Sequence, residues 1–242
     1  MKDRLIAHRG DMTTYPENSL LAFQAAAELG FKNIELDIQL SKDHIPIVIH
    51  DENLYRTAGV DQLVRNLSSD EIANIHLSAS IKNVKQKELL ILPTLRQAAK
   101  LLGKYKNITL FVEIKRQSVE NFPLDVVVDS IISNLSESSM NYVIISFLED
   151  VIKYVKQKYT YPIGWVIKNF DDKSLKKANE IKPDYMFCNI NKINMEIITL
   201  WEGKWDWVIY DIQDLEHVRK LLDYGISFVE TGDIVKMSNA EL

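Results

Sequence analysis

The chain has 242 residues, 46% of them apolar, which suits one large core and an α/β barrel of about 250 residues in a single domain. Lysine and arginine number 29 against 34 aspartates and glutamates, giving a net charge of −5. That balance argues against a general nucleic-acid binder and leaves room for a locally positive pocket for a small phosphate.

The single cysteine, Cys188, excludes an internal disulfide framework. Unbroken apolar runs reach four residues, as in 142–145, far short of the ~20 of a membrane span. The N-terminus reads straight into a strand, without the apolar stretch of a signal peptide. A soluble, cytoplasmic protein with no membrane span is the expectation; the oligomeric state is not readable.

Short apolar runs alternate with longer segments of helical period. Strands are predicted at 4–8, 33–37, 108–113, 142–146, 163–167, 185–188, 207–210 and 227–230. Helices are predicted near 18–29, 93–103, 121–135, 147–158, 171–180, 192–201 and 213–224. Eight strands with intervening helices are the signature of a (β/α)8 TIM barrel. An open doubly wound sheet is the structural rival, but no glycine-rich fingerprint follows any strand.

Asn18 or Ser19 can cap the first helix, Gly30 falls where a left-handed C-cap is wanted, and Thr94 to Gln97 has capping-box spacing. After Asp37 the chain reads as a hairpin, 38–42 and 45–50, about a two-residue turn, Asp43-His44. Paired residue numbers then sum to 87, placing Asp37 opposite His50 and on the same face as Glu35. Residues 51–92 read as an insertion folded over the mouth of the barrel, with a short helix in 70–75. The whole of 1–242 is expected to form one domain.

In a barrel the chemistry sits at the C-terminal ends of the strands. The strand ends here are His8-Arg9-Gly10, Glu35-Leu36-Asp37 and Glu113-Ile114-Lys115, and the hairpin returns with His50-Asp51. Glu35, Asp37 and Glu113 offer a hard, all-oxygen site that suits Ca²⁺ or Mg²⁺ rather than zinc. Arg9 and Lys115 can hold phosphate oxygens. His8 and His50 titrate near neutrality, so one can act as base and the other as acid. Together these groups describe cleavage of a phosphate ester.

The segments Ile6-Ala7-His8-Arg9-Gly10, Tyr15-Pro16-Glu17-Asn18-Ser19, Ile34-Glu35-Leu36-Asp37-Ile38 and Val48-Ile49-His50-Asp51 resemble the signature of glycerophosphodiester phosphodiesterases. The resemblance continues through Arg56-Thr57, Leu92-Pro93-Thr94-Leu95, Val112-Glu113-Ile114-Lys115 and Ser146-Phe147. It covers about the first 150 residues, in order and at matching spacing. It implies a phosphodiesterase TIM barrel with a small insertion at about 51–92. It implies catalytic histidines at His8 and His50, metal carboxylates at Glu35, Asp37 and Glu113, and phosphate-contacting cations at Arg9 and Lys115. The implied reaction takes a small-molecule glycerophosphodiester to glycerol 3-phosphate and an alcohol with a divalent cation, Ca²⁺ or Mg²⁺.

The C-terminal third departs from the pattern. A Trp-Thr-Val-Asn-like strand end is Trp207-Val208-Ile209-Tyr210 here. A closing Gly-Val-Asp-Gly-Ile-Ile-Thr-Asp is Gly225-Ile226-Ser227-Phe228-Val229-Glu230-Thr231-Gly232. These positions shape the far side of the pocket and bear on the preferred alcohol.

Other conspicuous residues have blander readings. His44, His76 and His217 are assigned to a turn, the insertion and a helix. Glu17 and Asn18 are read as helix-start residues, with Asn18 as a cap, and Arg56 is given no role in the site. Trp207 is read as pocket wall or core, with Trp201, Trp205 and Trp207 alternatively a surface anchor, and Cys188 as a small buried apolar residue.

Two alternative functions remain open at this stage. One is a lysophospholipase D, for which Leu63, Leu67, Ile72, Ile75, Leu77 and Ile81 of the insertion would line an acyl trough. The other is a non-catalytic barrel that binds phosphorylated metabolites.

Overall fold

The computed structural model describes residues 2–78, 90–135 and 140–239. Its strands are β1 (Leu5–Ala7), β2 (Asn33–Leu40), β3 (Pro46–Val48), β4 (Thr109–Ile114), β5 (Asn141–Ser146), β6 (Ile163–Val166), β7 (Tyr185–Asn189), β8 (Asp206–Tyr210) and β9 (Phe228–Thr231). All except β3 run parallel, in the order β1-β2-β4-β5-β6-β7-β8-β9, and β9 pairs back onto β1 to close the barrel. The closed (β/α)8 architecture is the one the alternating pattern predicts.

The helices are α1 (Leu20–Glu28), α2 (Tyr55–Ala58), α3 (Ser69–Ile72), α4 (Leu95–Leu102), α5 (Arg116–Asn121), α6 (Leu124–Leu135), α7 (Glu149–Lys158), α8 (Asp172–Ile181), α9 (Leu215–Tyr224) and α10 (Ile234–Asn239). Among the described residues no helix is long and apolar enough to cross a membrane.

Period-two alternation sorts the strand side chains into two cores. On β2, Ile34, Leu36, Ile38 and Leu40 face outward and join the layer between barrel and helices. The inner core is built from Ile6, Phe111, Val143, Ile145, Val166, Phe187 and Val208. The residues of opposite parity on β2, Glu35 and Asp37, therefore point inward, at the end of this apolar inner core. Burying charge there is unfavourable without partners, so their environment decides what they do.

Ser19 caps α1 by accepting from the Ala22 N–H, and Thr94 with Gln97 forms a complete capping box on α4. Gly30 has φ +87°, the left-handed value expected after that helix. Asn18 is not the cap; its role is described below.

The β2–β3 hairpin differs from the sequence expectation in register. The pairs are Ile38 with Val48, Gln39 with Ile47 and Leu40 with Pro46, so paired numbers sum to 38 + 48 = 86 rather than 87. The turn holds three residues instead of two. Ser41 closes it: its N–H donates to the Ile45 carbonyl at 3.1 Å, its hydroxyl accepts from the Ile45 N–H at 3.0 Å, and His44 takes φ +61°. Asp37 thus lies opposite Ile49, whose N–H donates to the Asp37 carbonyl at 2.9 Å.

The insertion carries its own small core. Leu54, Val64, Ile72 and Leu77 pack with Ile47 and Ile49 of the hairpin and with Leu92, joined by partly buried Leu67 and Ile75. Of the residues expected to line a trough, Leu67, Ile72, Ile75 and Leu77 pack in this core, partly buried Leu63 stands outside it, and Ile81 lies outside the described residues. The predicted short helix in 70–75 is α3.

The expected helix at 192–201 does not form. Ile193, Ile197, Ile198 and Thr199 are β-branched, and Asn189 and Asn194 divert the chain by accepting from the N–H groups of Asn191 and Glu196. The segment delivers Trp201 instead, which stacks on Phe170 at 4.2 Å and accepts at its carbonyl from the Trp207 indole at 3.1 Å. Trp207 is thus outer-core packing, not pocket wall, and Cys188 is fully buried on the same outer face.

Candidate active site

The site begins at a tight turn after β1. The His8 N–H donates to the Thr231 carbonyl at 3.0 Å, continuing the β1–β9 pairing, and the chain then reverses through Arg9 (φ +55°) and Gly10 (φ +78°). A Cβ on Gly10 would lie 2.6 Å from the Ala22 carbonyl carbon, so this position requires glycine on two counts. The reversal lays Arg9 across the barrel mouth. Its backbone N–H donates to Glu35 Oε2 at 3.2 Å and its Nη1 to Glu17 Oε1 at 2.9 Å. Its Nε lies 3.0 Å from Asp37 Oδ2, an ion pair rather than an aligned hydrogen bond.

Asp37 is the hub of the cluster and is fully buried. Besides Arg9, it meets Lys115 Nζ at 3.2 Å on Oδ1 and accepts from the Asn18 amide at 2.9 Å on Oδ2. Asn18 Oδ1 in turn accepts from the Asp37 N–H at 3.3 Å, and Asn18 holds φ +58° to do so. The residue read as a helix cap is a clamp on the central carboxylate. From β4, Lys115 Nζ also reaches Glu113 Oε1 at 2.8 Å.

His50 follows β3 and lines the same cavity as His8, Arg9, Glu113 and Lys115. Its Nδ1 is 2.6 Å from Asp51 Oδ1, and Gln39 donates to its carbonyl at 2.7 Å. Arg56 of the insertion fixes this corner, donating to Asp51 at 2.5 Å and to both Glu17 oxygens at 2.7 and 2.8 Å. Arg56 and Glu17, given no part in the site from sequence, thus tie the insertion to the first-strand turn.

All seven residues singled out in the sequence come together. The ligand oxygens of Glu35, Asp37 and Glu113 lie within 4.8 Å of one another, and the two histidines and two cations border the same cavity of about 170 Å³. One residue that sequence reasoning passed over joins them. Glu230 on β9 is 4% exposed, and its Oε1 is 3.5 Å from His8 Nε2. Its parity with inward-facing Phe228 was the available signal.

Electrostatics divide the carboxyls. Burial opposes ionisation of Asp37, but Lys115 and then Arg9 outweigh it and hold this carboxyl well below the usual range. Burial raises Glu35, with Asp37, Glu230 and Glu113 adding repulsion. Burial also raises Glu230 and Glu113, the latter against the pull of Lys115. Burial, with the Arg9 charge beside it, lowers His8 to about 4, favouring the neutral imidazole. On the other side of the site, hydrogen bonding from Arg56 holds Asp51 down.

Two side-chain cations are thus set against three buried carboxyls, Glu35, Asp37 and Glu230, and the partly buried Glu113. Glu35 Oε1 is buried with no hydrogen-bond partner. A buried acceptor of this kind is costly unless something electropositive meets it. The donor set is all oxygen at its core, as a hard divalent cation requires, so Glu35, Asp37 and Glu113 fit such an ion.

Comparison with known proteins agrees with this geometry. The model of the glycerophosphoryl diester phosphodiesterase family matches residues 8–231. A glycerophosphodiester phosphodiesterase of Caldanaerobacter subterraneus is 42% identical over 115 residues, covering 48% of this chain and 46% of the relative. One from Bacillus altitudinis is 33% identical over 120 residues, covering 50% and 48%. The chain spans about half the length of these curated relatives.

Among solved structures, a phosphodiesterase of Oleispira antarctica, in complex with the product sn-glycerol-3-phosphate, superposes with a TM-score of 0.84 at 19% identity, covering 97% of this chain and 96% of the other. The glycerophosphodiester phosphodiesterase of Thermotoga maritima gives 0.72 at 21% identity, covering 97% of each chain. These superpositions speak for the fold. With the family model spanning nearly the whole chain, this protein belongs to the glycerophosphoryl diester phosphodiesterase family.

Proposed function

We propose that the chain hydrolyses glycerophosphodiesters to glycerol 3-phosphate and an alcohol, using a divalent cation, Ca²⁺ or Mg²⁺. The observation that carries this reading is a cavity lined by two imidazoles, two cations and Glu113, with the Glu113 carboxyl grouped within 4.8 Å of those of buried Glu35 and Asp37. The named activity of the relatives, and the glycerol 3-phosphate held by the Oleispira enzyme, suggest the substrate class.

Glu35, Asp37 and Glu113 would hold the cation, which when bound supplies positive charge to a non-bridging phosphate oxygen. Arg9 and Lys115, pre-anchored by Asp37, turn their remaining N–H groups to the phosphate and share the charge that builds at phosphorus. His8, enclosed beside Arg9, takes the proton of an attacking water, whose oxygen bonds to phosphorus. The bond from phosphorus to the alcohol oxygen breaks. His50, held by Asp51 at Nδ1, gives a proton to that oxygen. Residues 1–242 act as one domain in this reading, since the insertion shares a core with the hairpin and reaches Glu17 through Arg56.

An assay of glycerophosphocholine, glycerophosphoethanolamine and lysophosphatidylcholine tests the reading. The first two should be cleaved. His8→Ala and His50→Ala should each lower kcat about 10²- to 10⁴-fold while cation binding measured by calorimetry survives. Substantial cleavage by the double variant would overturn the assignment.

A further inference from the structure

Glu230 has no part in the roles above. It points into the barrel from β9, and the register of β8 with β9, Val208 opposite Phe228 and Ile209 opposite Val229, sets it level with Tyr210. The sequence pattern that this chain resembles has asparagine at the Tyr210 position and isoleucine at the Glu230 position.

The Glu230 carboxyl is nearly inaccessible, yet no hydrogen bond to it is present among the described residues. His8 Nε2 lies 3.5 Å from its Oε1, too far for a good hydrogen bond, and the Glu35 carboxyl is grouped with both within 4.8 Å. Nearly enclosed, Glu230 lines the cavity and presents acceptor oxygens there to a donor from a ligand. The Tyr210 phenol beside it is raised by burial and then by the Glu230 charge, so it keeps its proton and can donate.

The shape of the site says which donor fits. Two cavities meet at His50. The inner one, of about 170 Å³, holds His8, Glu230 and Tyr210 and is walled by Ile145, Val166 and Phe187. The outer one, of about 610 Å³, opens past Asp51, Tyr55 and Arg56. A phosphodiester reacting between His8 and His50 puts one arm in each. Glycerol is the arm common to every substrate of the proposed reaction, and the alcohol is the arm that varies. The smaller, less open cavity suits the constant arm and the wider, more open cleft suits the variable one.

We propose that Glu230, assisted by the Tyr210 hydroxyl, receives the two free hydroxyls of the glycerol moiety and so confines the enzyme to diesters of unacylated glycerol. This rests on the phosphodiesterase reading above. A carboxylate accepts two O–H donors from a vicinal diol, whereas an acyl ester removes one donor and adds a chain that the inner cavity cannot hold. The alcohol in the open cleft is then selected weakly.

The test compares wild type, Glu230→Ala and Glu230→Gln, each loaded with Ca²⁺ or Mg²⁺. The substrates are glycerophosphoethanolamine and bis(p-nitrophenyl) phosphate, a diester with no diol. Glycerol 3-phosphate binding is measured by calorimetry on the same proteins. Loss of hydrogen bonds to a charged acceptor predicts a fall of about 10- to 100-fold in kcat/KM for glycerophosphoethanolamine with Glu230→Ala, mostly in KM. That fall should exceed the fall on bis(p-nitrophenyl) phosphate at least tenfold, with glycerol 3-phosphate binding weakened in step. Glu230→Gln, which keeps the shape and one acceptor oxygen, should fall between Ala and wild type. Equal losses on both substrates, or unaltered glycerol 3-phosphate binding, would overturn the proposal. A wild-type protein that cleaves neither diester would instead overturn the phosphodiesterase reading, so the two failures are distinguishable.

Discussion

Substituting Gly10 tests how the first-strand turn builds the site. At φ +78° an L-residue carries a backbone cost of about 1–2 kcal/mol. The new Cβ would also meet the Ala22 carbonyl carbon at 2.6 Å, its oxygen at 2.7 Å and its Cβ at 2.9 Å. These atoms belong to α1, which cannot yield without moving against the barrel, so overpacking adds roughly 1–3 kcal/mol.

Gly30 supplies the control. It has φ +87°, but nothing lies within 4 Å of its added Cβ. Gly30→Ala should therefore show the backbone cost alone, and Gly10→Ala should be less stable by at least about 1 kcal/mol more. Urea unfolding reads the difference directly. At roughly 2–4 °C per kcal/mol for a domain of this size, a thermal melt resolves it too. Because the turn aims Arg9 at Asp37 and Glu17, Gly10→Ala should also lose turnover, and Gly30→Ala should not. Equal unfolding midpoints for the two variants would refute the close-approach argument.

Other perturbations reach other parts of the site. Glu35→Gln removes the carboxylate with the unpartnered buried oxygen, and should weaken Ca²⁺ or Mg²⁺ binding more than tenfold by calorimetry. The same variant, measured without cation, should be no less stable than wild type, since it removes a desolvated acid. Asp51→Asn leaves His50 without its charged partner, and should lower kcat by about 10- to 100-fold with little change in KM. Glu17 is held below the usual carboxylate value against burial by Arg56 and Arg9, so its contribution to stability is present above its unfolded pKa of about 4.3 and is lost as pH falls through the lower folded value. Melts from pH 6 down to pH 3 should accordingly show a shallower decline for Glu17→Gln than for wild type, and parallel declines would contradict this.

The barrel was legible because most of its parallel strands, buried on both faces, read as short apolar runs, while β2 alternates apolar Ile34, Leu36, Ile38 and Leu40 with polar residues. The site was legible because chemistry clusters at strand ends, where Glu35, Asp37, Glu113 and Lys115 alternate with apolar residues. What escaped depends on three-dimensional detail. The hairpin register turned on Ser41 closing a three-residue loop with His44 at positive φ, a choice that Asp43-His44 does not announce. Asn18 and Ser19 are equally good caps by type; only the left-handed backbone at Asn18 sends its amide to Asp37 instead.

The helix at 192–201 had helical spacing of its apolar residues, but β-branching and asparagine turns prevailed. Glu230 was readable from period two alone, given that Phe228 faces inward. The departure at Tyr210 drew attention to the far side of the pocket without pointing to the residue one strand away.

The central claim is that carboxylates from β2 and β4 assemble a cation-dependent phosphodiesterase centre with His8 and His50. Release of glycerol 3-phosphate from glycerophosphoethanolamine, followed with excess chelator and after returning Ca²⁺ or Mg²⁺, tests it most directly. The account predicts release that the chelator abolishes and one of the two cations restores. Undiminished release in chelator, or no release with either cation, would contradict it.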